Sequence, residues 1–128
     1  MNRAKDWFEQ ATSDLKHARH SLRDGDYDWA CFAAQQAAEK VVKALYMKRN
    51  SIAWGHSVFE LLENVPEDVR PDKELIELTK TLDKYYIPTR YPNAHPSGAA
   101  YKYYTQEEAE KAIKICEEVM NFCVSKGV

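Results

Sequence analysis

From Ala4 to Arg23 the larger apolar residues fall at Ala4, Trp7, Phe8, Ala11, Leu15, Ala18 and Leu22, a pattern of steps by three and four. Such steps gather side chains on one face of an α-helix, which turns once in about 3.6 residues. Gly25 stops this helix after a basic last turn, and Asp26 is placed to cap the next. Residues 27–49 contain neither Gly nor Pro and are rich in good helix formers. The seam of this second helix, Ala30, Ala33 or Ala34, Ala37, Val41, Ala44 and Leu45, is dominated by small side chains, so a neighbouring helix can approach its backbone closely.

Ser57 can cap a short third helix that carries Val58, Leu61 and Leu62 and stops before Pro66. Pro71-Asp72 opens a fourth, with Leu75, Ile76, Leu78 and Leu82 apolar; Pro88 disfavours helical geometry before it, so a loop is predicted from near Tyr86. Thr105 and Glu108 have the spacing of a capping box, and Ala109, Ala112, Ile113, Cys116, Val119, Met120 and Cys123 then form an apolar stripe to the C-terminus. No stretch alternates with period two and no segment repeats. The pattern predicts an all-α, up-and-down helical bundle of four to five helices with a long Pro/Tyr-rich loop before the last one, as a single domain over residues 1–128.

The chain has 128 residues, 45% apolar and 30% charged, enough for one core without disulfides or a structural metal. A net charge of −2 argues against coating nucleic acid by bulk charge, so any phosphate site must be local. Cys31, Cys116 and Cys123 are an odd number without a C-x-x-C pair, which fits a reducing cytoplasm and neither a secreted disulfide framework nor a zinc ribbon. The longest apolar run, Trp29 to Ala34, is six residues, so neither a secretory leader nor a membrane span is expected. His17 and His20 share a helix face without further metal-ligand partners, and no phosphate-loop, dinucleotide, hydrolase or zincin motif occurs, so no metal or cofactor is called for.

The segment from Lys84 to Gln106 stands apart. It holds no acidic residue, yet carries Lys84, Arg90, His95, Lys102, three prolines and six of the chain's eight tyrosines. Long loops inside compact bundles are uncommon and are disproportionately functional. Rigid prolines, aromatic faces and a guanidinium together suit a pocket that stacks a base and grips a phosphate, with Arg90, Asn93, Tyr85, Tyr86 and Tyr91 as candidates. A second acid-free stretch, Lys40 to Phe59, adds Lys40 and Lys43 as candidate phosphate contacts; the alternative is that they are a solvated helix face.

Within the loop, Arg90-Tyr91-Pro92-Asn93-Ala94-His95 sets an Arg and a His with four residues between them. This resembles the Arg-x4-6-His motif of the HEPN superfamily, and Phe32, Gln35-Gln36-Ala37, Glu39-Lys40 and Lys43-Ala44 resemble that family's F-x-x-Q-Q-A-x-E-K-x-x-K-A segment. His56-Ser57, Leu82, Tyr85 and Ile87 to Pro92 extend the resemblance over nearly the whole chain. It implies a homodimer, often encoded beside a separate minimal nucleotidyltransferase, in a family many of whose members are metal-independent ribonucleases of toxin–antitoxin systems. Tyr91 stands where active members commonly carry a polar Asn, Asp or His after the Arg, and Ser97 stands where silenced toxins carry a modifiable tyrosine.

The leading expectation is therefore a homodimeric nucleotide- or RNA-phosphate-binding protein that works with a nucleotidyltransferase. The alternative is an RNA endonuclease in which Arg90 stabilises the charged phosphorane and His95 serves as acid or base, as metal-free cleavage requires. A two-fold dimer would supply an acid and a base together. A second alternative is a structural interaction bundle that binds no nucleotide.

Overall fold

The two longest amphipathic segments fold as α1 (Ala4–Asp24) and α2 (Tyr27–Lys48), an antiparallel pair in a computed structural model that describes residues 2–128. Gly25 makes the turn between them in the left-handed region (φ 82°), where a side chain would be strained. The alanines of α2 do what their size allows: Ala30, Ala34, Ala37 and Ala38 are fully buried and α1 lies close along them. The last helix, α6 (Gln106–Ser125), packs its predicted stripe of Ala109, Ala112, Cys116, Val119 and Cys123 against α2 and α1. At the remaining side, α3 (Val58–Asn64), α4 (Lys73–Leu78) and α5 (Lys80–Asp83) close the core over Leu45, Leu62 and Leu82. The architecture is all-α, and among the described residues there is no strand.

Three local expectations change. Asp26 occupies the cap position of α2 but its side chain makes no capping hydrogen bond. The fourth helix is capped by Asp72 as predicted, its Oδ1 accepting from the Leu75 amide, but it breaks at Thr79 into α4 and α5 and ends at Asp83. Thr79 is fully buried and donates its hydroxyl to the Ile76 carbonyl at 2.6 Å, competing with the helix's own bonds. The capping box of α6 is half formed. Thr105 Oγ1 accepts from the Glu108 amide at 3.1 Å, while the Glu108 carboxylate accepts from the Tyr85 hydroxyl at 3.3 Å, which ties the loop to the last helix.

The loop itself is ordered into two short 3-10 turns, Pro92–Ala94 and Ala100–Tyr103. Asp83 anchors its beginning: its carboxylate accepts from the Ser57 hydroxyl (2.6 Å) and the Val58 amide (2.7 Å), capping α3 together with Ser57.

The three cysteines are buried and unpaired, and burial pushes each thiol up to about 12. Their reaction with a thiol reagent at pH 8 should be slow in the native protein and fast after denaturation. The sign of the pH dependence follows. Between the ordinary thiol value of 9.0 and about 12 the unfolded chain has lost protons that the folded chain keeps. Stability should therefore fall as pH rises through that window, as urea titrations at stepped pH would show.

Candidate functional site

Two buried residues four apart, Tyr85 and Thr89, fix how the Arg90 segment presents itself. Tyr85 and Thr89 turn inward, and Thr89 Oγ1 donates to the Tyr85 carbonyl at 2.8 Å. Arg90 then faces out. Its guanidinium lies 4.5 Å from the centroid of the Phe32 ring on α2 and 5.4 Å from that of Tyr91, and donates to the Tyr91 hydroxyl at 3.2 Å. Two aromatic faces hold a cation without neutralising it. Among the described residues no carboxylate pairs with Arg90, nor with the exposed Lys84 and Lys102 of the same segment. Trp29, half exposed, meets Phe32 edge-on at 6.2 Å and extends the aromatic frame.

His95 is held from three sides. Its Nε2–H donates to the Pro88 carbonyl at 2.7 Å, its ring stacks on Tyr103 (4.2 Å, 15°), and Tyr104 meets it edge-on. With Nε2 committed as donor, Nδ1 is left without a partner among the described residues, and it is not a buried orphan, so solvent reaches it. Asn93, between the two motif residues, is exposed with its side-chain amide uncommitted.

The tyrosines divide. Tyr91 is exposed beside Arg90, whereas Tyr85 is core: it is buried, its hydroxyl is bonded to Glu108, and burial raises its pKa. Tyr85 therefore supports the loop from beneath and offers no ring to a ligand. Tyr86 is half-buried and stacks on His56 (4.5 Å, 17°). Tyr101 and Tyr103 are further exposed rings on the same segment.

Lys40 and Lys43 are not a solvated face, and their charges are already spent. Lys40 Nζ bonds Asp14 of α1, and Lys43 Nζ bonds Glu39 at 2.9 Å. Glu39 is the centre of a network that sequence reading missed as a structural unit. Its side chain is 7% exposed; Oε1 accepts from Gln35 Nε2 (3.0 Å) and Oε2 from Lys43 and from His56 Nδ1 (2.9 Å). Gln35 also donates to the His56 carbonyl at 3.2 Å and accepts from Gln36. The helical spacing of Phe32, Gln35/Gln36, Glu39 and Lys43 was the available signal, since residues three and four apart share a face.

A hollow of about 510 Å³, lined by Asn2, Arg3, Trp7, Met47, Asn50, Ser51 and Ile52, lies at the far end of α2 from Phe32 and Arg90. No helix among the described residues is long and apolar enough to cross a membrane.

A helical bundle whose long loop presents an Arg and a stacked His over a glutamine- and glutamate-bearing helix defines a class of domain, and comparison with known proteins gives it a name. Residues 4–127 match the HEPN domain, and the chain belongs to that family. It is 55% identical to TT1696 from Thermus thermophilus, whose crystal structure superposes with a TM-score of 0.95 over 98% of this chain and 99% of that one. ST0689, an archaeal HEPN homologue, is 37% identical with a TM-score of 0.83, covering 98% of each chain. Among curated proteins, "Putative toxin MJ1304" of Methanocaldococcus jannaschii is 29% identical over 127 residues, 91% of this chain and 83% of that protein.

Removing the carboxylate at the centre of the network should be costly. Glu39→Ala leaves the mostly buried Lys43 ammonium without its partner and is expected to lower stability by about 3 kcal/mol. Replacing both Glu39 and Lys43 by Leu should recover most of that loss, because two desolvated charges are removed together. Chemical denaturation of the two variants tests the difference.

Proposed function

We propose that this protein binds single-stranded RNA or nucleotide phosphates through Arg90, as a homodimer acting with a separate minimal nucleotidyltransferase in a toxin–antitoxin-like pair. The observation that carries the reading is the state of Arg90: exposed, framed by Phe32 and Tyr91, and without an acidic partner among the described residues, in a segment that contains no acid at all. A guanidinium so placed keeps its full charge for a phosphate, and its planar fork suits two phosphate oxygens. Tyr91 and Asn93 stand beside it for stacking and hydrogen bonding. The similarity to the protein named "Putative toxin MJ1304" supports the toxin–antitoxin setting.

Dimerisation is supported by the aromatic rim of the same surface. Trp29 and Ile87 are each 48% exposed, apolar area that a second copy covers when two such surfaces face each other. A second reading, metal-independent RNA cleavage, is favoured by one detail: the Pro88 carbonyl fixes the His95 tautomer and leaves Nδ1 as the open, proton-accepting nitrogen. Arg90 is then the electrostatic partner of the phosphorane.

Fluorescence anisotropy with labelled single-stranded RNA tests the binding reading. Arg90→Ala is expected to weaken binding at least tenfold, the scale of one charge-assisted contact, and Arg90→Lys to restore only part of it. Equal affinity of wild type and Arg90→Ala contradicts the reading. In the same samples with excess chelator, cleavage lost in His95→Ala marks the nuclease, and intact RNA with wild type removes that alternative. Light scattering of the wild type should give a dimer, and Trp29→Glu should shift it towards monomer.

A further inference from the structure

His56 lies outside the Arg-x4-His motif, yet its exposed side chain is held by both a hydrogen bond and a ring stack. Its side chain is 54% exposed, so it adds little to the core. Nevertheless its Nδ1 is held by Glu39 at 2.9 Å, its ring by the stack on Tyr86, and its backbone carbonyl by Gln35 at 3.2 Å. The network does not need the imidazole for its own balance. Lys43 already neutralises Glu39, and Gln35 and Lys43 already occupy one oxygen each. Restraint on an exposed group beyond what packing asks is the mark of a side chain preorganised for a ligand.

The tautomer follows from the geometry. A carboxylate accepts, so Nδ1 carries a proton and donates to Glu39; Nε2, which has no protein partner among the described residues, points its lone pair outward when the ring is neutral and an N–H when it is charged. An RNA strand offers a match to both: a 2′-hydroxyl that donates and a phosphate oxygen that accepts. The position of His56 relative to Arg90 is set by α2. Arg90 rests on Phe32 and His56 on Glu39, residues seven apart on one face of the same helix and hence about 10 Å apart along its axis. Both are also tied to the same short piece of chain, since Tyr86 stacks on His56 four residues before Arg90.

We propose that His56 is a second contact group on this surface: its outward Nε2 engages the strand whose phosphate Arg90 holds, so the site takes single-stranded RNA of at least two nucleotides in preference to a mononucleotide. The inference rests on the RNA-binding reading above and adds to it a length requirement and a residue. Glu39 is the positioning residue that aims the imidazole.

A ligand-length series separates this contact from a structural role. Affinities for AMP and for labelled oligoribonucleotides of two, four and eight residues are measured with wild type, Arg90→Ala and His56→Phe, the last keeping a ring to stack on Tyr86 while deleting both nitrogens. Wild type should bind the oligomers more tightly than AMP. His56→Phe should bind AMP as wild type does and lose about tenfold on the oligomers, whereas Arg90→Ala should weaken both. If His56→Phe is poorly folded by its melting curve, Glu39→Gln, which keeps the side-chain shape but weakens the hold on Nδ1, is expected to give the same oligomer-specific loss in smaller measure. Equal effects of His56→Phe on AMP and oligomers, or no effect on either, overturn the inference while leaving Arg90 in place. Failure of the wild type to bind any of these ligands overturns the underlying reading and this inference with it.

Discussion

A carboxylate sunk between helices must have its hydrogen bonds supplied by the protein, because burying it unpaired costs several kcal/mol. Glu39 meets that condition with the Gln35 amide and the Lys43 ammonium on α2, and it also accepts from the imidazole of His56 in the connection to α3. The consequence reaches beyond α2. Glu39 also holds His56 against the helix, the ring of Tyr86 stacks on that imidazole, and Tyr86 begins the run that ends in Arg90. Phe32, two turns before Glu39 on the same helix, then receives the guanidinium. One buried acid thus organises the surface on which the unpaired cation stands.

The same surface shows how a protein of net charge −2 can offer a cationic site. Elsewhere several basic residues are answered: Lys40 by Asp14, Lys43 by Glu39, Arg19 by Glu117, Arg49 by Asp68. In the segment from Lys84 to Gln106 there is no acid in the sequence to answer them, and the fold brings none to Arg90 among the described residues. Local charge and not total charge is what a phosphate at contact distance experiences, since beyond about 10 Å salt screens the rest. The loop keeps its form because its inward residues are bonded: Tyr85 to Glu108, Thr89 to Tyr85, His95 to Pro88.

Much of this architecture was legible in the amino-acid order. The apolar periodicity of α1, α2 and α6, and the caps Ser57, Asp72 and Thr105, are local signals, and they appear where the spacing placed them. The break at Thr79 was hidden because it comes from a buried hydroxyl turning on its own helix, a choice made by tertiary burial and not by propensity. For the candidate site, sequence singled out the loop and its Arg and His, but it could not sort the tyrosines: Tyr85 and Tyr86 are adjacent, and only the fold decides that one is core and the other a surface stack. The ion pairs of Lys40 and Lys43 were hidden for a related reason. Their partners, Asp14 and Glu39, are respectively distant in sequence and one turn away, and charge counting over an acid-free stretch starting at Lys40 passes over both.

The central claim is that ligand recognition occurs at the Phe32–Arg90 end of α2. Backbone and arginine side-chain chemical shifts, followed as a short single-stranded RNA is added to isotope-labelled protein, test it most directly. The account predicts that the largest changes fall on the Arg90 Nε–H and on Phe32, Tyr91, Asn93 and His95. Changes confined to the other end of the helix, around Trp7, Met47 and Ile52 where a hollow of about 510 Å³ lies, would contradict it.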